Sequence, residues 1–337
     1  MPRILRFAVV SADALAYQAD LLVLKYAQGL FGLDRVVVSN LTDAGIKVRL
    51  PKIGASTTVN TNGALKIPQI LFVGVPTLRD FGYSEIRDFA RNAITVLAAE
   101  GSNAKHVVFT IHGAGYGLDE AEAFDSEVAG IVDAVTTGVC PAALETITFV
   151  ENDVGRASRL IVALTQLLPD GELELKSSRS ILNLSSATQN TLRTAGYASA
   201  AKPHVFVAMP FAPEMDDTYY YGIQGAVKSA QMLCERADLS SYVGDVTEWV
   251  KSRISTARLV IGDLSTANPN VYLEIGYAWG CRVPTVLIAR DATDLKFDVK
   301  SQRCIIYKSI HQLEELLGKE LNGLAEQMPI LRPGGAA

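Results

Sequence analysis

No C-x-x-C pair, no run of lysine and arginine and no apolar stretch long enough to cross a bilayer occurs in this 337-residue chain. The four cysteines, Cys140, Cys234, Cys281 and Cys304, are scattered. They read as reduced thiols in a reducing compartment, without zinc-ligand spacing, and no metal site is expected. Net charge is −5, from 31 basic and 36 acidic residues. The basic stripe of a duplex nucleic-acid binder is missing, as is the polybasic patch that docks on anionic lipid. The longest apolar runs, at 70–75 and 259–261, are a fraction of a membrane span. MPRILRFAVV at 1–10 lacks a long apolar region and a cleavage signature. It reads as a first strand rather than a secretory signal, and cytoplasmic residence is the expectation. G-x-S-x-G, H-E-x-x-H and the strict G-x-G-x-x-G are absent too, which leaves elbow-type serine hydrolases, zincins and a standard dinucleotide fingerprint without support.

What is present forms cores. Hydrophobic residues make up 49% of the chain and charged residues 20%, enough for two ordinary domains at this length. Short apolar or β-branched runs at 4–10, 21–24, 35–38, 46–50 and 70–75 read as strands. Helical spacing places Ile86, Phe89, Ala90, Ala93, Val96 and Leu97 on one face of a helix over 83–100. A strand at 106–111, a glycine-rich turn, a helix over 119–135, a strand at 146–150 and a helix over 153–168 complete an αβ domain spanning 1–168. Residues 169–202, rich in Ser, Thr, Asn and Gly, read as an interdomain linker that carries a short helix. A second domain spans 203–330. Its strands at 204–208, 259–264 and 285–289 alternate with helices over 219–236, 248–257, 271–280 and 310–327. This alternation predicts a doubly wound parallel sheet, with ligands beyond the carboxyl ends of the strands. The fold class expected is α/β, as two α/β domains.

Three segments of the second half fall at that rim. VFVAMPF at 205–211 runs a buried strand into Met209, Pro210 and Phe211, and VIGDL at 260–264 brings Asp263 to the same place. In NPNVYLEIGYAWG at 268–280, Asn268 or Asn270 can cap a helix whose start Pro269 stiffens. Glu274 follows about one turn later among mostly apolar neighbours. A carboxylate there needs a ligand, a proton or a salt-bridge partner such as Arg282 or Arg258. The acidic, tyrosine-rich EMDDTYYYG at 214–222 has two readings. It is a solvated loop and helix start, or a lid whose Tyr219, Tyr220 and Tyr221 stack on a base.

In the first half, HGAGYGLDEAEAF at 112–124 follows a strand and opens a helix. Gly113, Gly115 and Gly117, with Tyr116 between them, let backbone N–H groups converge at the helix N-terminus as an anion cradle. A tight strand-to-helix connection is the other reading. His112 reads as a structural strand-end histidine or as a base.

These residues carry two resemblances. The strand ending in Met209-Pro210-Phe211, ISTARLVIGDL at 254–264 and NPNVYLEIGYA at 268–278 resemble the nucleoside 2-deoxyribosyltransferase-like superfamily. They are most similar to the branch grouped with TIR-like nucleotide-binding domains of bacterial defence systems. The resemblance implies that Glu274 acts at the anomeric carbon of a nucleoside, as nucleophile or as the carboxylate of N-glycosidic cleavage. It further implies Asp263, Asp245 and Glu248 as catalytic acids, with Met209, Pro210, Phe211, Asn268 and Asn270 binding substrate. Two departures stand out. Asn268 occupies the place where the deoxyribosyltransferases usually carry an aspartate, and Met209 the place where they commonly carry glycine.

ADLLVLKYAQGLFGLDRVV at 19–37, together with the glycine loop, resembles a macro domain related to the N-terminal domain of leucyl aminopeptidases. This implies a mixed sheet, with Asp20 and the loop at 29–32 on the base and ribose. Gly113, Gly115, Tyr116 and Gly117 would then hold the diphosphate. Tyr26, Ala27 and Gln28 replace that family's asparagine pair. Together the resemblances imply a nucleotide-handling protein that cleaves the N-glycosidic bond of NAD or a nucleotide under control of a nucleotide-sensing N-terminal domain, in a setting of antiphage defence. The partners implied are a nucleotide or NAD-derived small molecule and a second copy of the chain. Neither duplex nucleic acid nor membrane is implied, and no cofactor other than NAD as a substrate. A non-catalytic nucleotide-binding signalling module, and a nucleoside 2-deoxyribosyltransferase or nucleotide N-ribohydrolase, stand as alternatives.

Overall fold

The computed structural model describes residues 3–175, 184–236, 246–296, 299 and 302–328. The chain divides into two compact units. One comprises Met1–Ala114 and Glu120–Ser199, the other Gly115–Asp119 and Ala200–Ala337. Among the described residues no helix is long and apolar enough to cross a membrane.

The first unit contains β1 (Arg3–Ser11), β2 (Leu21–Tyr26), α1 (Leu33–Asp43), β3 (Ser56–Asn60), β4 (Gln69–Gly74) and α2 (Tyr83–Ala99). It continues through β5 (His106–Phe109), α3 (Glu120–Thr136), β6 (Thr146–Glu151), α4 (Val154–Leu167), β7 (Glu172–Leu175) and α5 (Ser186–Thr194). The strands lie in the order β3-β4-β2-β5-β6-β1-β7. Pairing is parallel through the middle of the sheet and antiparallel at both edges, so the sheet is mixed, as expected. The inner strands are apolar along their length, as LLVLKY of β2 shows, because both faces are covered. Helix α2 buries Ile86, Phe89, Ala90, Ala93, Ile94 and Leu97. Asp153 starts α4 by accepting the Arg156 amide.

Three expectations for this half are corrected. The valine run at 35–38 reads as a strand but belongs to α1, where Val37 and Leu41 are buried one turn apart with Asp34 in the first turn. Tertiary burial at helical spacing outweighs the strand preference of β-branched residues. No strand forms at 46–50, whereas the mostly polar STTVN forms edge strand β3. The stretch 169–202 is not a free linker, because its described residues up to Ser199 belong to the first unit. Leu173 of β7 pairs opposite Leu5 and is fully buried. Helix α5, capped by Ser185, is the short helix anticipated there. The buried Arg87 side chain donates to the carbonyls of Arg193 and Ala195 just beyond it. The unit therefore runs to Ser199 rather than to 168.

The second unit contains β8 (His204–Ala208), α6 (Gln224–Ser229), β9 (Leu233–Glu235), α7 (Val246–Thr256), β10 (Leu259–Asp263) and α8 (Pro269–Gly280). After these come β11 (Thr285–Ala289), β12 (Cys304–Ile306) and α9 (Ile310–Gln327). A wider helical turn, Thr218–Ile223, leads into α6. The sheet order is β12-β11-β10-β8-β9, parallel throughout. Alternate residues of one strand serve opposite faces. Val205 and Val207 pack with Ile223 and Val227 beside α9 residues Leu313 and Leu317. Phe206 and Ala208 pack with Val250 and Ile254 of α7 and with Val271 and Ile275 of α8. This is the doubly wound sheet that the sequence predicts. The helix expected over 219–236 ends at Ser229, and β9 follows a turn in which Gln231 has φ +60°.

Candidate functional site

The loops that follow β8, β9, β10, β11 and β12 leave one end of the second unit's sheet, because every pairing in it is parallel. Helices α7 and α8 run back along one face, so their first turns also lie at this end. The topology therefore gathers Met209–Phe211, Arg236, Glu248, Asp263, Asn268, Arg290 and Tyr307 at this end, with Glu274 in the second turn of α8.

Helix α8 is positioned by its own start. The Asn268 side chain accepts the Asn270 amide at 2.9 Å and Pro269 is the first helical residue, as expected of an Asn-Pro cap. Asn270 itself is exposed. Gly262 lets the helix lie close on β10, since a Cβ there would stand 2.5 Å from Ile275 Cδ1. Glu274 is half-buried on this helix. Among the described residues it makes no hydrogen bond and no ion pair, and neither Arg258 nor Arg282 reaches it. Burial alone pushes its carboxyl up to about 7. The salt-bridge reading of Glu274 is thereby removed.

Asp263 is fully buried and faces inward. It accepts the Ser265 amide at 2.9 Å and the Ser265 hydroxyl at 2.6 Å, and Tyr307 donates at 3.4 Å. Burial raises its pKa, while the Ser265 bonds, Arg290 and Tyr307 pull it back. The carboxylate closes the turn after β10; it does not project into solvent. Glu248 sits in the first turn of α7, exposed and paired with Lys251 at 2.9 Å. Asp245 lies outside the described residues.

Met209 and Pro210 are buried and Phe211 is exposed. Arg236, just after β9, organises this corner. Its guanidinium lies 4.0 Å from the Tyr219 ring, 4.8 Å from Phe211 and 5.6 Å from Tyr220, at cation–π distance. It also pairs with Asp216 at 3.6 Å. Tyr219 is buried and its hydroxyl donates to the Cys234 carbonyl. Only Tyr221 of the three tyrosines is well exposed, so the run does not form a three-tyrosine lid.

The residues expected to bind a ligand in the first half are not brought together. Asp20 stands at the amino end of β2, where its carboxylate accepts the amides of Lys105 and His106. Gly113 follows the carboxyl end of β5, which is parallel to β2. Gly115, Tyr116 and Gly117 group with the second unit. A Cβ on Gly117, whose φ is +90°, would meet the Trp249 ring at 2.4 Å, so the glycine there serves close packing. A cavity of about 520 Å³ lies at the Asp20 end, but its polar lining is largely self-satisfied, with Thr58 bonded to Glu100 and Gln69 to Asn60.

Sequence reading missed a buried polar group at the carboxyl end of β2 and β5. His112 Nδ1 lies 2.9 Å from Glu127 Oε1, and Lys25 and Asp34 are buried with them. Burial lowers the Lys25 pKa and raises that of Asp34, and each opposes the other's shift. The structural reading of His112 fits this enclosure. Lysine within LLVLKY was the available signal. Arg236 and Arg290 carried none, because neither belongs to a motif.

No protein-family model matches the chain, and no curated protein matches it. Solved structures similar to it include macro domains. A variant Oceanobacillus iheyensis macrodomain with ADPR has 15% identity and a TM-score of 0.37, over 48% of this chain and 93% of that one. The same macrodomain with MES bound has 15% identity and a TM-score of 0.37, over 50% and 99%. The macro domain of ganglioside induced differentiation associated protein 2 has 12% identity and a TM-score of 0.36, over 48% and 83%.

Proposed function

We propose that the second unit cleaves the N-glycosidic bond of NAD or a nucleotide, with Glu274 as the carboxylate facing the anomeric carbon. The observation that carries this reading is a half-buried glutamate in the second turn of α8, the helix after β10, with no protein partner among the described residues. Burying such a group without a partner is costly, and groups perturbed in this way cluster at functional sites. As the C1′–N bond breaks, its electron pair leaves with the base and positive charge develops at C1′. An adjacent carboxylate stabilises that charge while water supplies the oxygen that bonds to C1′. A carboxyl titrating near 7 can also take the proton that the water gives up. Asp263, enclosed by Ser265 and Tyr307, holds the turn that leads to α8. Resemblance in sequence to macro domains supports nucleotide sensing by the first unit, and resemblance of the second to TIR-like domains of bacterial defence systems supports a setting of antiphage defence.

The test is incubation of the full chain with NAD and a panel of nucleosides and nucleotides, with mass spectrometry of the released base. Release by the wild type and its loss in Glu274→Gln is the expected result. Removing one such electrostatic contact costs about 2.7–4 kcal/mol of barrier, roughly a hundred- to a thousandfold in rate. Equal release by both proteins would remove Glu274 from the reaction.

A further inference from the structure

Arg290 follows β11 at the carboxyl end of the second unit's sheet, and its side chain is held although it is exposed. Its Nη2 donates at 3.0 Å to the hydroxyl of Thr218, which is fully buried, and its amide donates to Ser265 Oγ at 3.1 Å. Thr218 is a neutral partner, and among the described residues the guanidinium makes no ion pair. A guanidinium has five N–H donors in a fixed fork, and bonds to Thr218 and to the Tyr307 side chain orient the group without using all of them. The nearby acids are already engaged. Asp263 accepts from Ser265 and Tyr307 and also feels the Arg290 charge, without an ion pair between them. Asp291 accepts the Thr293 amide and hydroxyl, each at 2.9 Å, and pairs with Lys308 at 3.6 Å. Lys308, while paired with Asp291, also donates to the Arg290 carbonyl at 3.2 Å, which brings a second cation to the Arg290 backbone.

We propose that Arg290, oriented by Thr218 and flanked by Lys308, binds a phosphate of the ligand, so that the site takes phosphorylated nucleotides in preference to free nucleosides. This rests on the N-glycosidic reading for the identity of the ligand but not for the anion site itself. Planar, charge-assisted donors suit phosphate oxygens, and a pinned arginine loses little freedom on binding them.

The experiment is calorimetric titration of the full chain with AMP, adenosine, CMP, cytidine and inorganic phosphate. It compares the wild type, Arg290→Gln and Arg290→Lys, with the melting temperature of each as a folding control. Expected is binding of a monophosphate at least about tenfold tighter than its nucleoside. Arg290→Gln should erase that difference while keeping nucleoside affinity, and Arg290→Lys should restore part of it. A wild type that binds nucleoside and monophosphate equally, or a Gln variant that keeps the difference, overturns the phosphate assignment and leaves the N-glycosidic reading standing. Binding of inorganic phosphate alone, lost in Arg290→Gln, supports the anion site and counts against a nucleoside pocket. Absence of all binding to the wild type overturns both.

Discussion

The Ser265 hydroxyl lies 2.6 Å from Asp263 Oδ1, and the Ser265 amide donates to the same oxygen at 2.9 Å. One buried carboxylate thus closes the turn between β10 and α8, and through it sets where α8 begins.

Asp263→Ala is expected to leave the Ser265 amide and the Tyr307 hydroxyl without their acceptor. The cost should be about 1–3 kcal/mol of stability, read from denaturant unfolding. Asp263→Asn keeps an acceptor oxygen in place and should lose less. If Asp263→Asn abolished base release while unfolding as the wild type does, the residue would belong to the reaction rather than to the turn.

Glu274 should make stability depend on pH in a defined direction. Its carboxyl is raised from 4.5 to about 7 by burial. Below about 4.5 it is protonated in both the folded and the unfolded chain, and its contribution to stability is fully present. As pH rises towards 7 and through it, the unfolded chain ionises first, and the contribution is lost. A shift of this size corresponds to about 3 kcal/mol. Glu274→Gln should therefore match the wild type near pH 4 and exceed it in melting temperature at pH 8. A variant less stable than the wild type at pH 8 would mean that the carboxylate has a stabilising partner after all.

A fragment ending at 168 should be less stable than one ending at 199. The shorter piece lacks β7, exposing the edge of β1 that Leu173 covers, and leaves buried Arg87 without the Arg193 and Ala195 carbonyls. Arg87 keeps its ion pair with Asp133 but loses acceptors for a buried N–H, and that loss and an unpaired strand edge both favour aggregation or unfolding. Equal melting temperatures for the two fragments would show that 169–199 contributes nothing to the first unit.

Local rules made much of the second half legible. Periodicity and caps depend on neighbours a few residues away, so the helix over 310–327 and the Asn268-Pro269 start of α8 could be read directly from the chain. The placement of Glu274 on a mostly apolar helix was legible for the same reason. Other features depend on partners distant in sequence. Val37 and Leu41 turn β-branched residues into a helix because that face is buried, and β7 is a strand because β1 offers it an edge. The short strand β9 forms against β8 in the same way. Strand direction then separates Asp20 from Gly113, since parallel strands carry an amino-end residue and a carboxyl-end loop to opposite ends of the sheet. The sequence by itself determined that one carboxylate ends β10 and another lies within α8. Only the tertiary structure decided that Asp263 is enclosed by Ser265 and Tyr307 while Glu274 meets no cation among the described residues, because a pairing exists only where the fold brings two side chains within reach.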